Sequence, residues 1–428
     1  MNPSASNISR RSFINNVALA SAAVAAAPLF NIRADGIGRK FKIGLIGSGG
    51  RGRQAVENLI DAAHVLGHEI EVYSVADFFP DRAAITATKY SIPESRVFVG
   101  ATAYQKLLEQ PIDIVLLATP PMFRPQHFEA AVKAGKHIFI EKPVAVDPAG
   151  VRKMIVLGEE AAKKGLSVVA GTQRRHTGTY LKNQSAVAHG AIGKIVGGTV
   201  SWCTNKLWLK QREAGESDAN YMVHNWTSFL EMSGDHIVEQ HIHNLDVANW
   251  FIGRPPQSAI GFGGRARRET GNQFDFFSVD YNYGDDCHIH SMCRQISGCY
   301  DSVGEMFVGT EGSAFGSGKI RSDKLDKLNL PEFKTHDNGQ VQEHIDLLNS
   351  IVNDQARNEV RAVAESTMTA IMGRISCYTG QLVRWSDLMT NAESPWYNLA
   401  LSPTPVDFEN GSVVAPKDNL VPQPGEVG

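Results

Sequence analysis

Six residues, Gly47-Ser48-Gly49-Gly50-Arg51-Gly52, constrain the fold of this chain more than any other stretch. They separate an apolar run at 41–46, which predicts a buried strand, from residues 53–63, whose apolar positions recur at helical spacing. A strand that passes through G-x-G-x-x-G into a helix needs each glycine for a different reason. The first permits the tight turn, the second lets backbone approach a pyrophosphate, and the third lets helix pack on strand. The helix start adds unpaired N–H groups and partial positive charge. Gly47, Ser48, Gly49, Gly50, Arg51 and Gly52 are therefore candidate contacts to a dinucleotide.

The following residues extend the pattern. A second strand over 69–76 ends in Asp77, an acidic residue placed to accept hydrogen bonds from ribose hydroxyls, which favours NAD over NADP. Arg82 nearby softens that preference. A third strand over 113–118 runs into Thr119-Pro120-Pro121, a helix over 126–134 follows, and a strand over 136–140 ends in Glu141-Lys142-Pro143. Strand and helix in alternation predict an α/β fold, a doubly wound parallel sheet of Rossmann type.

With 428 residues, 43% hydrophobic and 20% charged, the chain has material for two globular domains. A net charge of -3 gives no basis for binding nucleic acid or anionic membrane. Cys203, Cys287, Cys293, Cys299 and Cys377 show no zinc-finger spacing. Cys287, Cys293 and Cys299 repeat every six residues, so they read as small apolar fillers on one strand face, with a disulfide among them left open. Near the start, Ser9-Arg10-Arg11-Ser12-Phe13-Ile14 precedes a modest apolar run over 17–27 with small residues at Ala25 to Ala27. This twin arginine resembles a bacterial Tat export signal. The run is too short to span a membrane. The expectation is a periplasmic or cell-envelope protein without membrane insertion, exported folded, with its cofactor held tightly and recycled in place.

Taken together, these motifs resemble the Gfo/Idh/MocA family, which includes glucose–fructose oxidoreductase, inositol dehydrogenase and NAD-dependent glycosidases. The resemblance rests on Gly47, Gly49 and Gly52, on Asp77, on Ala118-Thr119-Pro120 and on Glu141-Lys142-Pro143, and it covers residues 41–385. It implies a second α+β domain with an open, mostly antiparallel sheet, often used to form homo-oligomers (dimer or tetramer). It also implies cofactor contacts from Ala118, Thr119, Pro120, Glu141 and Lys142, with Gln173 facing nicotinamide or substrate, and a cis peptide before Pro143. The expected division is a signal and linker over 1–35, a Rossmann domain over 36–165, a substrate and oligomerisation domain over 166–390, and an extended arm over 391–428. Strand-like stretches at 193–202, 258–262, 276–283, 287–294 and 305–309, and amphipathic helices at 342–353 and 359–379, agree with that second domain.

The densest set of chemistry-bearing side chains lies between Gly234 and Asp246. In a single helix, His236, Glu239, His243 and Asp246 would share one face. The resemblance makes His243 the general base, Glu239 its partner, and Lys142 the group beside the reacting hydroxyl, and these three are the expected catalytic residues. Many relatives have Asp where this chain has Glu239. A histidine titrating near neutrality suits removal of an alcohol proton, and a lysine suits the developing alkoxide. Expected substrate contacts are Lys142, Arg174, Trp226, His236, His243 and Asp246, with Trp202, Trp208 and Tyr221 as further candidates. His236, Glu239, His241 and His243 could also ligate a metal, although none is assigned.

The expected function is an exported NAD-dependent oxidoreductase that transfers hydride between a secondary alcohol carbon of a sugar or glycoside and tightly held NAD. A redox-neutral NAD-dependent glycosidase would use the same residues. A non-catalytic sugar-binding protein of the same fold is the third alternative.

Overall fold

The computed structural model describes residues 38–418 and 420–425. The twin-arginine segment and residues 1–35 lie outside them. The first half of the chain gives β1 (Lys40–Ile46), α1 (Gly50–Val65), β2 (Glu69–Asp77), α2 (Pro80–Tyr90), β3 (Val97–Val99), α3 (Ala103–Leu108), β4 (Ile114–Leu117), α4 (Arg124–Lys133), β5 (His137–Ile140), α5 (Pro148–Lys163) and β6 (Val168–Ala170). The six strands form one parallel sheet in the order β3-β2-β1-β4-β5-β6. Every residue of β4 is buried, as an all-apolar Ile-Val-Leu-Leu strand must be when helices cover both faces. The order reverses between β1 and β4, and a cleft opens at such a switch point outside the carboxyl ends of the strands.

The chain continues through α6 (Gly178–Ala188), β7 (Ile195–Thr204), α7 (Asp218–His224), α8 (Leu230–Ser233), α9 (His236–Glu239) and α10 (Ile242–Ile252). Next come β8 (Ser258–Gly264), β9 (Phe276–Asn282), β10 (His288–Gln295), β11 (Ser302–Gly309), β12 (Gly312–Phe315) and β13 (Ile320–Arg321). The last elements are α11 (Gly339–Val352), α12 (Val360–Thr379), β14 (Val383–Arg384), α13 (Trp385–Met389) and α14 (Pro405–Asn410). The second sheet has eight strands in the order β13-β12-β11-β7-β10-β9-β8-β14. Its pairs are antiparallel except β7 with β10. The expected α/β plus α+β architecture is observed. Among the described residues, no helix is long and apolar enough to cross a membrane.

Three expectations need correction. Strand β6 pairs with β5, so the first sheet extends past residue 165. Helix α11 also returns to the first domain, where Val341, Ile345, Leu348 and Ile351 pack with Phe41, Ile43 and Leu59. An amphipathic pattern shows that a helix has a buried face, and tertiary packing decides which core receives it. The cysteines are all free, and Cys299 is exposed while Cys287 and Cys293 are buried, so no disulfide joins them. The arm beyond residue 391 is not simply extended. Thr404, Pro405 and Asp407 start α14 as a capping box, and Phe408 is buried against Phe78 and Phe123.

Candidate active site

A cavity of about 810 Å³ runs along the switch point between the two domains. One end is made of backbone. Gly47 has φ 90°, and a Cβ there would stand 2.7 Å from the Thr119 nitrogen. A Cβ on Gly52 would come within 1.9 Å of the Gly47 carbonyl oxygen, the close packing that the third glycine serves. Cβ atoms on Gly49 or Gly50 would meet no protein atom within 4 Å, and both residues line the cavity. This is the cradle that a pyrophosphate requires. Ala118, Thr119 and Pro120 continue the wall, with Thr119 Oγ1 3.2 Å from His127 Nδ1.

Asp77 lines the same end. One carboxylate oxygen accepts the Ser48 N–H at 2.6 Å and its hydroxyl at 3.3 Å, and the other accepts the Phe79 N–H at 2.9 Å. Burial raises the Asp77 carboxyl above its ordinary range, and these hydrogen bonds together with Arg82 pull it back. Ser48 is fully buried and off the cavity wall, which corrects its assignment as a direct contact. It holds Asp77 in place.

The other end is made of side chains from distant elements. Arg51 Nε lies 2.5 Å from Glu141 Oε1, and its Nη2 donates to Glu343 at 3.1 Å. Glu343 is fully buried, and burial pushes its carboxyl well above the usual range despite Arg51. Lys142, at a cis peptide before Pro143, donates from Nζ to the Glu239 carbonyl at 2.7 Å and lies 3.5 Å from Glu239 Oε1. Gln240 donates to the same Glu239 oxygen at 3.0 Å. Lys142, Glu239, Gln240, His243 and Gln173 all line the cavity. His243 stacks on Trp202, with ring centroids 5.7 Å apart. Burial, and then the cations Lys142, Arg174 and Arg51, hold its pKa well below the ordinary value. A histidine expected to titrate near neutrality is instead a neutral imidazole.

The expected one-face helix is broken. Helix α9 ends at Glu239 and α10 starts at Ile242, so His236 and His243 do not share a stripe. Asp235, with φ 75°, accepts the His236 N–H and lies 3.1 Å from its Nδ1, and the His236 ring packs against Phe277. His241 Nε2 meets Ser291 Oγ at 2.7 Å. The three histidines therefore point to different neighbours. Asp246 takes a bidentate pair from Arg175 and the Ser366 hydroxyl at 2.7 Å. Arg174 pairs with Glu305, which also accepts from Tyr180 and Asn244. Arg174, His236 and Asp246 are thus absent from the cavity wall, correcting their assignment as substrate contacts. Arg174 and Asp246 are paired within the protein, His236 Nε2 is buried without a partner, and Arg174 acts on His243 through charge.

Among the aromatics, Trp226 and Trp208 line the cavity and meet edge to face at 6.2 Å. Tyr221 is buried against Phe229, and Trp202 lies behind His243. Residues that sequence reasoning missed include Arg124, Gln240 and His224, which stacks on Phe79 at 4.1 Å, and the buried Glu343. No local motif marks them.

Fold and cleft together define a two-domain dinucleotide-binding protein whose second domain closes over the switch point. The chain matches the oxidoreductase family's NAD-binding Rossmann fold over residues 41–171 and its C-terminal alpha/beta domain over 184–380. It belongs to the Gfo/Idh/MocA family. It is 28% identical over 228 residues to myo-inositol 2-dehydrogenase of Thermotoga maritima, covering 52% of this chain and 58% of that protein. Over 221 residues it is 31% identical to 1,5-anhydro-D-fructose reductase of Ensifer adhaerens, covering 51% and 58%. The matches thus span less than two thirds of these curated relatives' length. Levoglucosan dehydrogenase, solved with NADH and levoglucosan, shares the fold with TM-score 0.62 at 16% identity, over 81% of this chain and 99% of that one.

Proposed function

We propose that this protein oxidises or reduces a secondary alcohol carbon of a sugar or glycoside, using NAD(H) held at the glycine loop. One observation carries the reading: Lys142 Nζ reaches Glu239, 97 residues away, on a cavity wall shared with His243 and the glycine cradle. Gly47, Gly49, Gly50, Gly52, Asp77 and Ala118 to Pro120 would hold the dinucleotide, which when bound supplies the hydride acceptor or donor. Lys142 Nζ, already a donor to an oxygen at 2.7 Å, can donate instead to the substrate hydroxyl. His243, neutral because of burial, can accept the hydroxyl proton. The cations that hold it neutral favour a partly deprotonated hydroxyl, and they oppose the positive charge that His243 gains on accepting the proton. Glu239 Oε2 is buried without a hydrogen-bond partner and offers a second acceptor beside the lysine.

Purified protein mixed with a panel of glycosides should develop NADH absorbance. Lys142→Ala should lower turnover about 10³-fold while leaving bound dinucleotide in place. Unchanged turnover in that variant removes Lys142 from the chemistry. Release of sugar with no net absorbance change would replace this reading with the redox-neutral glycosidase.

Two further proposals concern context. The twin-arginine segment directs Tat export to the periplasm with tightly held NAD, and an Arg10→Lys, Arg11→Lys variant should then stay in the cytoplasm. The outer face of the second sheet exposes Ile260, Phe262, Met292 and Val308, and its burial between copies supports a homo-oligomer. Light scattering at a single-chain mass would exclude it.

A further inference from the structure

We propose that Arg124 is the anion-binding residue of the cleft and that it receives the carboxylate of an acidic sugar. Arg124 is the first residue of α4, lines the cavity, and is only 4% exposed. Its Nη1 donates to the carbonyl of Pro143, the neighbour of Lys142. Its Nε is buried with no acceptor. Among the described residues, no carboxylate forms an ion pair with it, although Arg51, Arg174 and Arg175 around the same site each have one. Arg374 is equally buried, but it donates to the carbonyls of Val146 and Gly234 and does not reach the cavity.

A guanidinium stripped of water without a counter-ion is costly, and a cavity wall is where a ligand can supply that counter-ion. Burial pushes Arg124 down to about 10, with Glu141 and Glu239 raising it and Arg51 lowering it, so it is charged at neutral pH. The phosphates of a dinucleotide have their own cradle at Gly49 and Gly50, whereas Arg124 is tied to the strand end that carries Lys142. One unpaired charge matches one carboxylate. A phosphate dianion would carry surplus negative charge beside Glu141 and Glu239. The inference rests on the reading that the Lys142 end takes a sugar, and it names which kind.

The experiment uses dinucleotide-loaded protein and matched pairs of sugars: methyl glucuronide with methyl glucoside, and the galacto and manno equivalents. Both binding, by calorimetry, and turnover are measured. For at least one pair the acid should be preferred about 10-fold or more. Arg124→Gln should abolish that preference mainly through KM, Arg124→Lys should keep part of it, and both variants should retain their dinucleotide. If Arg124→Gln fails to fold, the wild-type ratios and the lysine variant decide. Ratios near one in every pair, preference for glucose 6-phosphate over glucuronate, or loss of dinucleotide from the variants would overturn the inference. Arg124-dependent glucuronide binding without any turnover would leave it standing and sink the hydride-transfer reading. Turnover of neutral sugars alone would do the reverse.

Discussion

The two ends of the cavity are built from different materials. At the glycine loop the wall is backbone, held by contacts that leave no room for a Cβ at Gly47 or Gly52. At the Lys142 end it is side chains, and their positions depend on charge pairs such as Arg51 with Glu141 and Glu343. A backbone wall fixes dipoles in place and does not change with pH. A side-chain wall can place full charges and a neutral imidazole next to each other, and its properties follow from burial. The first end suits holding a constant ligand, and the second suits chemistry.

The sharpest way to break this contrast is within the glycine loop. A methyl on Gly52 must displace the Gly47 carbonyl, 1.9 Å away, whereas one on Gly49 meets open cavity. Gly52→Ala should therefore destabilise the free protein by roughly 3 kcal/mol or more and abolish dinucleotide binding. Gly49→Ala should leave the melting temperature of dinucleotide-free protein nearly unchanged while weakening dinucleotide binding on the order of 100-fold. Thermal melts and dinucleotide titration separate the two. Equal loss of stability in both variants would mean the loop is a structural turn and not a cradle.

Legibility in the sequence follows the same division. The glycines, Asp77 and Glu141-Lys142-Pro143 are local signals, because strand, turn and helix requirements fall within a few residues of each other. The first sheet and the cradle could be anticipated from them, and the second sheet through the family resemblance that they carry. The support of the Lys142 end could not, since Glu343 lies 292 residues from Arg51 and Glu305 lies 131 from Arg174. Helical spacing also misled at 236–246. Asp235 in the left-handed region and the turn at Gln240 and His241 interrupt the helix, and His236 goes to the core. Periodicity records which residues would share a face if the helix continued, and it does not record whether it continues. The link of α11 to the first domain was hidden for a similar reason, as an apolar stripe does not name its partner.

Acid should expose the side-chain end next. His243 and His344 are held well below the ordinary histidine value by burial and neighbouring cations. His127 and His241 are lowered to about 3, with burial the larger cause. Their folded pKa values lie below the unfolded one, so the unfolded chain binds more protons in acid and stability is lost as pH falls below about 6.5. Between pH 6.5 and 5 each such histidine removes up to about 2 kcal/mol. His176 has the opposite sign. Glu359 and Asp346 overcome its burial and raise it to about 10, so its contribution is complete below about 6.5 and is lost as pH rises toward 10. Urea melts should show both limbs, and His344→Phe should flatten the acid one. An acid limb unchanged by that substitution would contradict a neutral buried His344.

The smallest effect tests the backbone end from the other side. Ser48 holds Asp77 through its N–H at 2.6 Å and more loosely through its hydroxyl at 3.3 Å. If backbone does the holding, Ser48→Ala removes only the longer and weaker of the two bonds. The Phe79 N–H at 2.9 Å remains on the other carboxylate oxygen. The hydroxyl is buried beside Asp77, so its loss leaves no unpaired donor and costs at most about 1 kcal/mol. NAD affinity should fall less than about 5-fold, with the ratio of NAD to NADP affinity unchanged, when both dinucleotides are titrated into dinucleotide-free protein. A larger loss, or a swing toward NADP, would show that the Ser48 hydroxyl orients Asp77. The glycine loop would then depend on a side chain as the Lys142 end does.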